Sequence, residues 1–168
     1  MVDAVPIRLL WAVERLSVEP DDHLLEIGCG AGVAVSRICD RLGEGTITAI
    51  DRSPVMVKRA LKRNEQHVAS GKATIRLGEL EELDLPEGSF TKIFAVNVNL
   101  FWMRSPETEL EIIRRLATPD GALYLFYELP SDAKAPAIAE QLSTALPGSS
   151  IETAQTGSKP LVAAVARL

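Results

Sequence analysis

Along this chain the spacing of apolar and polar positions switches between a period near 3.6 and short, almost continuous apolar runs, and each switch marks a predicted element. The segment PIRLLWAVERL, Pro6 to Leu16, places apolar residues at Ile7, Leu10, Trp11 and Leu16 behind a first-turn proline, which predicts a helix. HLLEIG follows as a buried strand. In GVAVSRICDRLG, Val35, Ile38, Cys39 and Leu42 fall at i, i+3, i+4 and i+7, with Gly43 as a stop, so a helix follows the strand. TITAID is a second strand, and SPVMVKRALKRNEQHVA reads as one helix, with Ser53 as N-cap and Pro54 at the first helical position.

The alternation continues. ATIRLG is a strand, ELEELDLPEG a short helical turn ended by Pro86 and Gly88, and FTKIFAVNV another strand. SPETELEIIRRLATPDG repeats the Ser-Pro helix start and closes at Pro119-Asp120-Gly121 before the strand ALYLFYEL. APAIAEQLSTAL is helical and stopped by Pro147-Gly148; SIETAQTGSKPLVAAVARL reads as two strands joined by a Thr-Gly-Ser turn. Strands alternating with helices predict a doubly wound α/β domain with a mostly parallel sheet covered on both faces, and a C-terminal hairpin that breaks the parallel rule. No repeat, linker or low-complexity block interrupts it, so residues 1–168 read as one domain.

The chemistry gathers where the strands end. LLEIGCGAG, Leu24 to Gly32, runs from a buried strand through Glu26 into Gly28, Cys29, Gly30 and Gly32. Bare backbone there lets a ligand press against main-chain N–H groups at the carboxyl edge of a doubly wound sheet. Glu26 lies two residues before Gly28, on the same face of the strand, where a carboxylate repels a pyrophosphate and suits a cation. The spacing is G-x-G-x-G; the third glycine of the dinucleotide fingerprint would fall at Val33. The plain alternative is a tight strand–helix turn without a ligand. Asp51 ends the second strand, nineteen residues beyond Gly32, and either accepts hydrogen bonds from ribose hydroxyls or caps the next helix. Gly78 and Glu79 end the third strand, where an acid meets an adenine edge unless Glu79, Glu81 and Glu82 form only a solvated face.

With these strand ends in place, the chain resembles the class I methyltransferases that use S-adenosylmethionine. LLEIGCGAG is similar to that family's first motif, AID with Asp51 to its second, and LGEL to a weaker third. FTKIFAVNVNLFW and LATPDGALYLF resemble its fourth-strand segment and its fifth strand with the preceding turn. The resemblance runs from about Pro6 to the C-terminus and implies a Rossmann-like seven-stranded sheet whose last strand is reversed. It implies that Glu26 and the Gly28–Gly32 loop hold the methionine portion, that Asp51 binds the ribose, that Arg52 and Met56 flank the adenine, and that Glu79 and Leu80 meet its edge. Met56 is equally readable as helix core. The sulfonium and ammonium of this cofactor supply the positive charge that Glu26 calls for.

The acceptor side is read after the fourth and fifth strands. Asn97 borders the cofactor and can orient a polar group; Asn99, Phe101 and Trp102 line the space beyond, and Tyr127 or Glu128 could accept a proton. Core packing for Phe101 and Trp102, and a solvated loop for Glu128, are the alternatives. Trp11 and Arg8 close the pocket, or Trp11 packs in the core. Neither His23 nor His67 is placed to act as a base. NVNL lacks the Asn/Asp-Pro-Pro-aromatic signature of enzymes that methylate adenine amines, no Pro-Cys is present for attack on a pyrimidine, and no metal-binding acid cluster follows the fourth strand.

Composition narrows the rest. With 46% hydrophobic and 24% charged residues the chain is an ordinary globular one, and a net charge of −5 without a Lys/Arg cluster argues against nucleic acid as partner. No segment has the length or leader of a membrane span or a signal peptide, and two cysteines suit a reducing compartment, so a cytoplasmic enzyme is expected. The absence of an inserted substrate domain predicts a small-molecule or surface-presented acceptor, or a site completed by a second subunit in a homodimer. The rival readings are an NAD-dependent oxidoreductase and a catalytically silent cofactor-binding protein.

Overall fold

The computed structural model describes residues 5–99, 106–156 and 159–168. Strands β1 (His23–Ile27), β2 (Thr46–Asp51), β3 (Ala73–Leu77), β4 (Phe90–Val96), β5 (Ala117–Glu128), β6 (Ser150–Thr156) and β7 (Lys159–Arg167) form one sheet in the order β3-β2-β1-β4-β5-β7-β6. Neighbours from β3 to β5 are parallel, because a helix or a long crossover returns the chain to the same edge each time. The C-terminal hairpin reverses β7 against β5, from Ala122 opposite Arg167 to Glu128 opposite Leu161. Strand order turns between β1 and β4, the switch point beside which sheets of this kind hold ligands at the carboxyl ends of the strands.

Both faces of the sheet are covered. Leu24, Ile47, Ala49, Phe94 and Phe126 face α1 (Ile7–Arg15), α2 (Val33–Cys39) and α3 (Pro54–Arg63). Leu25, Ile27, Ile50, Ile93, Leu123 and Leu125 face α5 (Glu107–Leu116) and α6 (Ala135–Ala145). Val35, Ile38, Cys39 and Leu42 are all buried, as their spacing predicts. Side-chain alternation along β1 therefore puts Glu26 on the face of Leu24, beneath α1 and α2.

Four local expectations are corrected. In α1, Ile7 and Leu10 are exposed, at 53% and 45%, and the buried stripe is Trp11, Ala12, Val13 and Leu16; Trp11 meets Phe126 edge-to-face, with ring centroids 5.7 Å apart. The helix expected from Ser53 to Ala69 breaks at Asn64, giving α3 and then α4 (Glu65–Ala69). The segment after β3 makes a single turn, Glu82 N–H to Glu79 O at 3.1 Å, and no helix. Pro119-Asp120-Gly121 lies inside β5, in a bulge between the pairs Phe90–Ala117 and Lys92–Ala122; Gly121 fits there because a Cβ would come within 2.9 Å of Ala117 and of Thr118 O.

Candidate functional site

The ends of β1, β2 and β3 meet around one loop. Gly28, Gly30 and Gly32 have φ of +75°, +53° and +72°, so the turn from β1 into α2 uses left-handed backbone at every second residue. Gly28 N–H and Cys29 N–H both donate to Ile50 O, at 2.9 and 3.0 Å, which ties the loop to β2. Gly30 N–H donates to Asp51 Oδ2 and Ser53 N–H to Asp51 Oδ1, each at 2.8 Å. Asp51 is thus an organiser of the turn, and each carboxylate oxygen keeps a lone pair for a further donor. A Cβ on Gly30 would meet no described atom within 4 Å, whereas one on Gly28 would lie 2.7 Å from Val98 Cγ2. The turn is closed on the β4 side and open above Gly30.

Glu26 is the anomaly of this region. It is 2% exposed and no described group donates to its Oε2. Burial, and secondarily the nearby negative charge of Asp51, push its carboxyl up from 4.5 to about 8. A buried acid with an oxygen that no described group serves, beside a second acid, is unfavourable, and a nearby cation relieves both effects. That orphaned oxygen, beside a turn that is open above Gly30, fits a ligand with an ammonium group. Cys29 is no nucleophile there: its thiol is buried and pushed far up by desolvation and then by Glu26 and Asp51.

The remaining candidates divide. Arg52 and Glu79 form an exposed ion pair at 3.7 Å on the rim, and half-buried Met56 sits in the first turn of α3, its N–H 3.4 Å from the Ser53 cap. Gly78 N–H donates to Asp51 O at 3.0 Å, and a Cβ on Gly78 would strike Leu83 at 2.9 Å. Leu80 turns its side chain into the core, leaving only main chain for a ligand. Asn97 takes φ +56°, donates its N–H to Phe126 O at 2.8 Å and accepts Glu128 N–H on Oδ1 at 2.8 Å, so it joins the ends of β4 and β5. Asn99 is exposed; Phe101 and Trp102 lie outside the described residues.

The two proton-acceptor candidates are held in different ways. Tyr127 is buried, its hydroxyl donates to Val98 O at 3.0 Å, and desolvation raises its pKa well beyond the usual phenol range, so it holds Val98 and is no base near neutrality. Glu128 Oε1 is shared by Lys159 Nζ at 3.3 Å and Arg8 Nη1 at 3.6 Å. Sequence pattern points to Arg8 and Glu128 separately but not to Lys159 or to their pairing, because the three come from α1, β5 and β7. Two surface grooves of about 370 and 390 Å3 lie elsewhere, between α6 and β6 and beside α4.

Comparison with known proteins identifies the class. Residues 24–121 match the family described as a methyltransferase domain, and the chain belongs to that family, the class I S-adenosylmethionine-dependent methyltransferases. It is 30% identical over 100 residues to a malonyl-acyl-carrier-protein O-methyltransferase of Priestia megaterium, an alignment covering 60% of this chain and 34% of that one. A protein of the same description from Halorhodospira halophila is 28% identical over 116 residues, 69% of this chain and 38% of the other. The matched region thus spans little more than a third of these curated relatives. Among solved structures, a SAM-dependent methyltransferase from Aquifex aeolicus superposes with a TM-score of 0.71 at 19% identity, covering 94% of this chain and 88% of that one. A protein described as a (4+2)-cyclase gives 0.71 at 19% identity, with 95% and 79% covered. Both show the seven-stranded fold.

Proposed function

We propose that the chain binds S-adenosylmethionine across the ends of β1, β2 and β3 and passes its methyl group to a small acceptor lying over the ends of β4 and β5. The observation that carries this reading is Glu26, a fully buried acid with an unpaired oxygen beneath a glycine turn that is open above Gly30. In this reading Glu26 and the turn from Gly28 to Gly32 hold the amino-acid end, Asp51 the ribose, and Arg52, Met56, Glu79 and the main chain at Leu80 the adenine. The cofactor supplies an already activated methyl for in-line displacement, so the chain's part is alignment, which in well-oriented systems is worth on the order of 7–11 kcal/mol. Asn97, fixed at both its N–H and its Oδ1, sets the seam between cofactor and acceptor.

The acceptor end leans positive. Among the described residues, Arg8 and Lys159 share one carboxylate, Glu128, so two cations meet one acid beside the ends of β5 and β7. This favours an acceptor bearing a carboxylate or phosphate, and the relatives named for a malonyl group on a carrier protein are in keeping with it. Two buried free cysteines suit the reducing cytoplasm. A second copy of the chain would complete the acceptor end.

Calorimetric titration with S-adenosylhomocysteine and with NAD separates this reading from the oxidoreductase one: heat is expected from the first alone. Transfer of labelled methyl to a panel of free and carrier-borne carboxylic acids is expected next. Tight S-adenosylhomocysteine binding with no transfer across the panel makes the protein a silent cofactor binder, a reading that the cyclase with this fold keeps in play. Asp51→Ala is expected to weaken S-adenosylhomocysteine binding by about tenfold to a hundredfold, since it removes the anchor of Gly30 N–H together with the ribose acceptor. Unchanged affinity in the same calorimeter takes Asp51 out of the site.

A further inference from the structure

The glycine turn is gripped from below as well as from β2. At the C-terminal end of α3, Arg63 Nε donates to Ala31 O at 3.1 Å and Asn64 Nδ2 to Gly32 O at 3.0 Å. Consecutive residues of one helix end thus bind consecutive carbonyls of the loop. Asn64 Nδ2 also donates to Ala60 O at 2.9 Å, so both amide hydrogens are committed and the amide's orientation follows: a flipped group would set oxygen against two carbonyl oxygens.

Asn64 is 1% exposed, and no described group donates to its Oδ1. A buried acceptor without a partner is unfavourable, so what this side chain contributes comes from its donor side. The helix breaks at the same residue, with φ −108° and ψ 21°. Gly32 completes the fit, because a Cβ there would lie 2.6 Å from Asn64 Nδ2 and 2.9 Å from Ala60 Cβ. Gly32 O also accepts Ser36 N–H of α2 at 3.2 Å, so this carbonyl is held jointly by the first turn of α2 and by Asn64.

We propose that Asn64, assisted by Arg63, clasps the glycine turn in its ligand-receiving shape, acting as a positioning residue that touches no ligand itself. The inference rests on the cofactor reading above only for which ligand responds. Asn64→Asp keeps the outline, removes both donors and sets an acidic oxygen against the carbonyls of Ala60 and Gly32; Arg63→Met keeps the stem and removes the other donor. With Asn64→Asp, S-adenosylhomocysteine affinity is expected to fall by about tenfold or more while adenosine, which lacks the amino-acid end, changes by less than about threefold. Gly30 amide hydrogen, held by Asp51, is expected to exchange about tenfold faster than in the wild type, with core amides of β1 and β4 unchanged. Arg63→Met, at an exposed position, is expected to move both readouts in the same direction by a smaller factor, and serves if Asn64→Asp does not fold.

Unchanged Gly30 exchange in the variants overturns the clasp, and so does an equal loss for both ligands accompanied by faster core exchange, which marks a purely structural role. If the wild type binds no S-adenosylhomocysteine, the cofactor reading fails by itself, and Gly30 exchange still decides the clasp.

Discussion

Glu26→Gln is expected to remove S-adenosylhomocysteine binding while making the ligand-free protein more stable at alkaline pH. The folded carboxyl is pushed up to about 8 from 4.5 by burial first and Asp51 second, so the folded chain retains a proton that the unfolded chain has released. The stability this group supplies is complete below about pH 4.5 and is lost as pH rises through about 8. At pH 8.5 the wild type holds, or must discharge, an unpaired buried charge; the amide does not. Replacing the acid should therefore add on the order of 2–4 kcal/mol at that pH and little at pH 4.5, visible as a flattened pH profile of the urea midpoint. Binding moves the other way, because an ammonium that met a carboxylate now meets a neutral amide: a loss of about a hundredfold or more is expected. Wild-type binding near pH 7 should also release about one proton as Glu26 ionises against the cation, read from binding heats in buffers of different ionisation enthalpy. A variant that binds normally, or that is the less stable at pH 8.5, removes Glu26 from the role proposed for it.

What the sequence made legible follows from how local each cause is. The strand–helix alternation, the reversed hairpin and the buried stripe of α2 depend on apolar spacing within ten residues or so, and pattern reads them directly. Glu26 was legible because an acid two residues before a glycine in a buried run contradicts its surroundings. Asn64 was not: helical periodicity runs through it, and the break falls where the helix end meets carbonyls of the glycine turn some thirty residues earlier in the chain. The exposure of Ile7 and Leu10 was hidden because which face of α1 meets the sheet is settled by the fit of Trp11 on Phe126, far away in sequence. Glu128 looked like a loop acid for the same reason, its two partners arriving from opposite ends of the chain. Distance along the chain, more than residue type, separates what could be read from what could not.

Gly30 and Gly32 are expected to fail differently when replaced by valine, although the motif presents them as equivalents. Both have positive φ, so a β-branched residue at either site stores about 1–3 kcal/mol of backbone strain. Their surroundings diverge. A side chain at position 30 enters space where no described atom lies within 4 Å; one at position 32 meets Asn64 Nδ2 at 2.6 Å, Ala60 Cβ at 2.9 Å and Ala60 Cα at 3.0 Å. Gly30→Val should thus fold cooperatively, with a thermal midpoint lowered only by the strain, while its methyl groups occupy the volume over the turn and S-adenosylhomocysteine binding disappears. Gly32→Val must push α2 from α3 and break the Asn64 hydrogen bond, adding overpacking to strain for a total on the order of 3–5 kcal/mol, enough to unfold a marginal domain at 37 °C. Thermal unfolding and calorimetry on the two variants distinguish these fates. Normal binding by Gly30→Val means that the open side of the turn is not the cofactor's side, and a wild-type melt for Gly32→Val means that the close approach of α3 does not constrain the loop.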